Sequence, residues 1–196
     1  MIVLASASSA RRAMLAAAGV TLEIDPAQLD EAPAKQILRD RFTHPAAIAE
    51  HLAVLKAGEV SARRPGALVI GADQTLALEG TDFDKPRDRA EARSQLQALR
   101  GRTHHLYSAA AAVRDGQTRW CHVASATLTV RDFSDAFLDD YLDQAGEAVL
   151  SSVGGYQLEG LGAQLFSAIE GDFFTILGLP LLPLLEFLRI DGELPR

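Results

Sequence analysis

Met1-Ile-Val-Leu-Ala-Ser-Ala-Ser-Ser-Ala-Arg-Arg12 opens the chain, and its reading decides the rest. A short apolar run, residues 2–5, stops at three serines, and two arginines follow. That order predicts a buried strand, a hydroxyl-rich turn, and a helix with cations in its first turns. Ser8 or Ser9 can cap the helix, and Gly19 can close it after about residue 18. A helix start offers unpaired N–H groups and a positive dipole end. Serine hydroxyls and arginine forks add donors, so the turn suits a phosphate. An ordinary strand–turn–helix with solvated arginines fits the same residues.

Outward from this unit, helices and strands alternate without an internal repeat. Residues 21–24 read as a second strand. Residues 25–35 are acidic and proline-punctuated, which predicts a surface loop leading into a short helix through Arg39. His44-Pro45 opens a long helix with Ile48, Leu52 and Leu55 at helical spacing. Residues 67–72 form a continuous apolar run, the mark of a strand covered on both faces, ending at Asp73-Gln74-Thr75. A loop then holds Asp84-Lys85-Pro86, and Asp88 starts a helix with Ala92, Leu96 and Leu99 on one face. Residues 102–113 and 119–130 read as long strands joined at Asp115-Gly116, a hairpin signal. Ser134 starts another helix through about Ala145. Residues 151–162 are glycine-dense, 164–169 read as a strand, and an apolar helix over 181–188 closes the chain. Helices alternating with strands around one hairpin predict an α/β fold with a mixed sheet, and the length allows one large domain over residues 1–196 or two small lobes sharing a core.

Bulk properties narrow the function. The chain has 196 residues, 48% of them hydrophobic, enough for a sizeable core. Its net charge of −7 argues against a nucleic-acid partner, although a local cationic pocket for a small anion is compatible with it. The single cysteine, Cys121, permits no internal disulfide, which fits a reducing cytoplasm. No apolar stretch approaches the ~20 residues of a membrane span, and no basic region precedes the opening run as in a secretory signal.

Among chemical candidates, Asp73 follows a strand that reads as buried, and ligand sites of open α/β sheets lie beyond the carboxyl ends of such strands. It could bind a divalent metal, act on a water, or simply make an Asx turn. Lys85, in a loop before a proline, could neutralise a phosphate or stay solvated. Lys56, on the long helix, could reach a cleft or snorkel outward. Asp30 and Glu31 could help hold a metal or simply belong to a solvated loop. His104 and His105 are adjacent and face opposite ways in a strand, so they form no metal pair. Gly-x-Ser-x-Gly, the Walker pattern and Gly-x-Gly-x-x-Gly are all absent.

Six stretches in order now assemble: residues 4–12 (Leu-Ala-Ser-Ala-Ser-Ser-Ala-Arg-Arg), 71–75 (Gly-Ala-Asp-Gln-Thr), 84–86 (Asp-Lys-Pro), 99–104 (Leu-Arg-Gly-Arg-Thr-His), 155–163 (Gly-Tyr-Gln-Leu-Glu-Gly-Leu-Gly-Ala) and 176–181 (Ile-Leu-Gly-Leu-Pro-Leu). Together they resemble the Maf family of nucleoside triphosphate pyrophosphatases, over nearly the whole chain. The resemblance implies a two-lobed α/β fold of the inosine-triphosphate pyrophosphatase type, with a cleft between lobes. It implies hydrolysis of a nucleoside triphosphate to the monophosphate and pyrophosphate with Mg²⁺ or Mn²⁺, and a homodimer. It casts Asp73 as the proton acceptor for the attacking water. It casts Ser6, Ser8, Arg11 and Arg12 as phosphate ligands, Lys56 and Lys85 as catalytic cations, and Glu31 with Asp73 as metal ligands. The family name is also tied to inhibition of septum formation, which implies a nucleotide-binding regulator of cell division as the other reading.

Three positions depart from the commonest family pattern. Ala10 stands where relatives place an arginine or a bulky residue. Gln74 and Glu159 match the branch handling 7-methyl-GTP rather than the branch handling dTTP and UTP. A carboxylate at 159 can accept the paired N–H groups of a guanine edge, which pyrimidines lack. A cationic 7-methylguanine would suit it further.

Overall fold

The computed structural model describes residues 1–195. Strand β1 (Ile2–Leu4) is buried throughout and leads through the serine turn into helix α1 (Ser9–Ala17). Ser8 caps α1 by accepting a hydrogen bond from the Arg11 amide, and Gly19, at φ 76°, lies just past its end. Strand β2 (Leu22–Ile24) runs parallel to β1. Helix α2 (Glu31–Arg41) starts earlier than the proline-rich composition predicts, so the loop is short. Pro33 falls in the first turn, where backbone N–H groups have no helical partner to lose. Helix α3 (Pro45–Ser61) is capped by His44, whose Nδ1 accepts from the Ala46 amide.

Strand β3 (Leu68–Leu78) corrects the sequence reading. It does not end at Asp73 but runs on through Asp73-Gln74-Thr75 to Leu78. The strand tolerates the first two of these polar residues because partners meet them: Lys56 meets Asp73, and Ser108 meets Gln74. Beyond it a hairpin returns as β4 (Thr81–Phe83), turning on Glu79 and Gly80, both at positive φ. Helix α4 (Arg89–Leu99) is capped by Asp88. Strands β5 (Thr103–Arg114) and β6 (Gln117–Val130) meet at Asp115-Gly116, φ 49° and 75°, as the turn signal predicts. Helix α5 (Asp135–Ala145) is capped by Ser134. Three 3-10 turns follow, then β7 (Phe166–Glu170), a short α6 (Phe173–Ile176) and α7 (Leu181–Ile190).

The strands pair in the order β2-β1-β3-β5-β6-β7, with β4 on β3; parallel and antiparallel pairs make the sheet mixed. The chain divides into two compact units. The first holds Met1–Gln74, Tyr107–Ala124 and the chain from Gly178 onward; the second holds Thr75–Leu106 and Ser125–Leu177. In the first, Val3, Ala5, Val69 and Val113 pack with Ala57 and Val60 of α3, and Ala49 and Ala53 meet Ala109 and Ala111 of β5. In the second, Leu96 and Leu99 of α4 and Leu138 and Leu142 of α5 share a core with Leu76, Leu106 and Leu128 of the strands. No helix among the described residues is long and apolar enough to cross a membrane.

Candidate active site

The site begins with a glycine. Residues 71 and 73 of β3 share one face, because side chains alternate along a strand. A Cβ on Gly71 would lie 2.1 Å from the Ala53 carbonyl oxygen and 2.9 Å from the Ala57 Cβ. The bare backbone at 71 and the alanines of α3 therefore bring helix and strand unusually close. An isolated glycine inside an apolar strand signals such an approach. The approach sets Lys56, one residue before Ala57, against Asp73.

Lys56 Nζ donates to Asp73 Oδ1 at 2.6 Å and pairs with Glu31 Oε1 at 2.9 Å. Asp73 is 7% exposed and Lys56 8%, whereas the Glu31 side chain is 58% exposed. One ammonium thus bridges two carboxylates, one inside the fold and one at its surface. Burial makes this bridge functionally telling, since an unpaired charge at either inner position would be costly.

Arg11 stands beside this trio. Its Nε donates to Gly178 O at 2.8 Å, and its Nη1 to Ala72 O at 2.8 Å and Ser6 Oγ at 3.3 Å. Burial pulls Arg11 below the usual arginine range, while the charges of Asp73 and Glu31 pull the other way. Ser6 Oγ also accepts from the Ser8 amide at 3.3 Å. The serines and Arg11 therefore brace one another, a use the phosphate-grip reading does not anticipate. Gly178, at φ 96°, has no Cβ to press on Arg11; one would lie 3.3 Å from Nη2. Gln74 donates from Nε2 to Ser108 Oγ at 2.9 Å. Arg12 is exposed and Ala10 half-buried.

The first unit thus brings together Ser6, Ser8, Arg11, Glu31, Lys56, Asp73 and Gln74. Lys85 and Glu159 belong to the second unit, both exposed. Lys85 lies in the loop after β4, which Gln95 Nε2 holds by donating to Asp84 O at 3.0 Å. Sequence reasoning missed Gly71, Ala72 O, Ser108 and Gly178 as parts of the site. Gly71 alone carried a legible signal, the glycine within an apolar run.

No group of three or more His, Cys, Asp or Glu among the described residues could hold a metal by itself. Glu31 and Asp73 offer hard carboxylate oxygens that converge on the Lys56 ammonium, beside which an ion would have to sit. That set fits a Mg²⁺-like ion, which takes one or two protein carboxylates and completes its shell with phosphates and water.

Comparison with known proteins then finds kin over the full chain. A family model described as Maf-like protein matches residues 1–190. A nucleoside triphosphate pyrophosphatase of Paramagnetospirillum magneticum is 60% identical over 97% of this chain and 98% of its own length. A 7-methyl-GTP pyrophosphatase of Mesorhizobium japonicum is 52% identical over 98% of this chain and 97% of its own. A solved dITP/XTP pyrophosphatase of Mycobacterium abscessus covers 99% of this chain and 97% of its own, at a TM-score of 0.44 and 16% identity, a likeness too loose to argue from.

Proposed function

We propose, from the premise that this chain belongs to the Maf-like protein family, that it hydrolyses nucleoside triphosphates to the monophosphate and pyrophosphate. The observation that carries the mechanism is the buried Asp73 carboxylate held at 2.6 Å by Lys56, with Glu31 on the same ammonium.

Lys56 keeps Asp73 in one orientation within the strand. Asp73 accepts the proton of the attacking water as its oxygen bonds to phosphorus and the α–β bridging P–O bond breaks, releasing pyrophosphate. Arg11, held by three protein oxygens, supplies positive charge without reorganising, and the start of α1 adds its dipole. Lys85 is assigned as a second cation for the phosphates, and Arg12 as an outer one. Glu31 and Asp73 would hold a Mg²⁺ or Mn²⁺ ion, which would polarise a phosphoryl oxygen when bound. Gln74, Glu159 and Ala10 are assigned to the base. Glu159 favours a guanine edge, and 7-methyl-GTP is the proposed substrate. A homodimer, to be measured by sedimentation, and a reducing compartment complete the proposal.

The test is pyrophosphate release from a panel of 7-methyl-GTP, GTP, dTTP and UTP with Mg²⁺ or Mn²⁺. Turnover favouring the methylated purine is expected; preference for dTTP and UTP would overturn the assignment of the base, and no turnover at all would overturn the mechanism. Asp73→Asn is expected to lower kcat by at least about a hundredfold while the protein stays folded by circular dichroism.

A further inference from the structure

In the second unit the core contains a polar pair that the mechanism above does not use. His104, on β5, is fully buried. Its Nε2 shares a hydrogen bond of 2.7 Å with the hydroxyl of Tyr156, also buried. Its Nδ1 is buried and has no hydrogen-bond partner. The neutral imidazole and the phenol together carry two polar hydrogens, and one mutual bond satisfies one of them in either tautomer. An apolar pair of the same shape would fill this space without leaving a donor unmatched. Packing alone therefore does not account for the pair.

What Tyr156 holds is the glycine-rich backbone. Gly154 and Gly155 sit at φ 80° and 73°, a left-handed step that other residues rarely adopt. Directly after it, the Tyr156 ring enters the core, edge-on to Phe166 at 4.9 Å. Its carbonyl accepts from the Ser152 hydroxyl, and the Gly155 carbonyl accepts from the Tyr141 hydroxyl at 3.1 Å. Six residues past Tyr156, Gly162 presses so closely that a Cβ there would lie 2.4 Å from Gln157 O. Glu159 stands between these two fixed points, three residues from each, with its side chain in solvent.

We infer that the His104–Tyr156 hydrogen bond anchors the segment bearing Glu159 and so sets base selectivity, making His104 and Tyr156 positioning residues. The inference rests on the assignment of Glu159 to the base. Removing the bond leaves Asp73, Lys56 and Glu31 in place and lets the backbone around 159 drift. Selectivity then falls through KM, while kcat stays.

The experiment compares Tyr156→Phe, His104→Phe, their double variant and Glu159→Gln, each assayed on 7-methyl-GTP, GTP and dTTP. Both single Phe variants are expected to narrow the purine-to-pyrimidine ratio of kcat/KM about tenfold, with kcat on the preferred substrate within about twofold. The double variant is expected to be no worse than either single one, because both remove one bond. Lowered Tm with an unchanged ratio in the Phe variants would mean a purely structural pair and overturn the inference. Should His104→Phe fail to fold, Tyr156→Phe, which deletes one oxygen, decides alone. A ratio narrowed in Tyr156→Phe but intact in Glu159→Gln would keep the anchor and reject Glu159 as the reader. The reverse pattern would keep the reader and reject the anchor.

Discussion

Gly71→Ala tests the geometric origin of the site. The new Cβ would start 2.1 Å from Ala53 O, 2.8 Å from the Ala57 amide nitrogen and 2.9 Å from the Ala57 Cβ. Two of these neighbours are backbone atoms of α3, so no side-chain rotation relieves the clash. Ordinary contact begins at 3.4 Å, so to move the 2.1 Å approach out to that distance α3 and β3 must part by at least about 1.3 Å. Overpacking of this kind costs about 2 kcal/mol, which in a chain of this size lowers Tm by roughly 4–8 °C. The same parting lengthens the 2.6 Å Lys56–Asp73 contact. Misplacing a catalytic group by that distance costs about a hundredfold in rate. The assay is thermal unfolding beside kcat and KM for the panel substrates. Gly58→Ala is the control: it lies in the same helix, a Cβ there meets nothing within 4 Å, and alanine suits a helix interior better by about 1 kcal/mol. Unchanged kcat and Tm in Gly71→Ala would refute the claim that helix–strand approach at this glycine builds the site. So would equal losses in Gly58→Ala.

Three further outcomes follow from the same structure. Lys56→Met should destabilise the protein by about 3 kcal/mol, because it leaves the Asp73 carboxylate buried without its cation. Adding Asp73→Leu should restore much of that stability in urea unfolding without restoring activity; a double variant no more stable than the single one would count against the bridge. His104 is held down to about 4 by burial first and by neighbouring His105 second, against 6.5 when unfolded. The unfolded chain therefore binds the extra proton between these values, and stability falls by about 3 kcal/mol as pH drops from 6.5 to about 4. The decline should be shallower in His104→Phe; parallel curves would contradict the burial argument. Ser8→Ala removes the cap of α1 and should cost about 1 kcal/mol by chemical denaturation, with a raised KM for triphosphate. A cost near zero would place the cap's work elsewhere.

The local grammar of the chain proved readable wherever one residue type answers one local need. Ser8, Asp88 and Ser134 cap the helices that the sequence predicts to start at them, Pro45 opens its helix at the first position, and Asp115-Gly116 makes its hairpin turn. These signals act over a few residues, so the sequence shows them directly. The reading failed where distant residues change the cost of a local choice. Asp73-Gln74-Thr75 looks like a strand end only while Lys56 and Ser108 are out of sight. Glu79-Gly80 turns a hairpin without the usual Asn-Gly or Asp-Gly.

The candidate site divides the same way. Taken singly, Asp73, Lys56, Glu31 and Arg11 read as readily as turn or solvated residues among 45 charged ones (19 basic and 26 acidic); only the resemblance of six ordered stretches to the Maf family singled them out. Tertiary structure alone decided that Lys56 bridges two carboxylates, and that Arg11 is braced by Gly178 O and Ala72 O. It alone tied His104 to Tyr156 across 52 residues of chain. The physical reason is that charge pairing and buried hydrogen bonds depend on distances of a few ångströms between segments. Only packing, here the approach of α3 to β3 at Gly71, sets those distances.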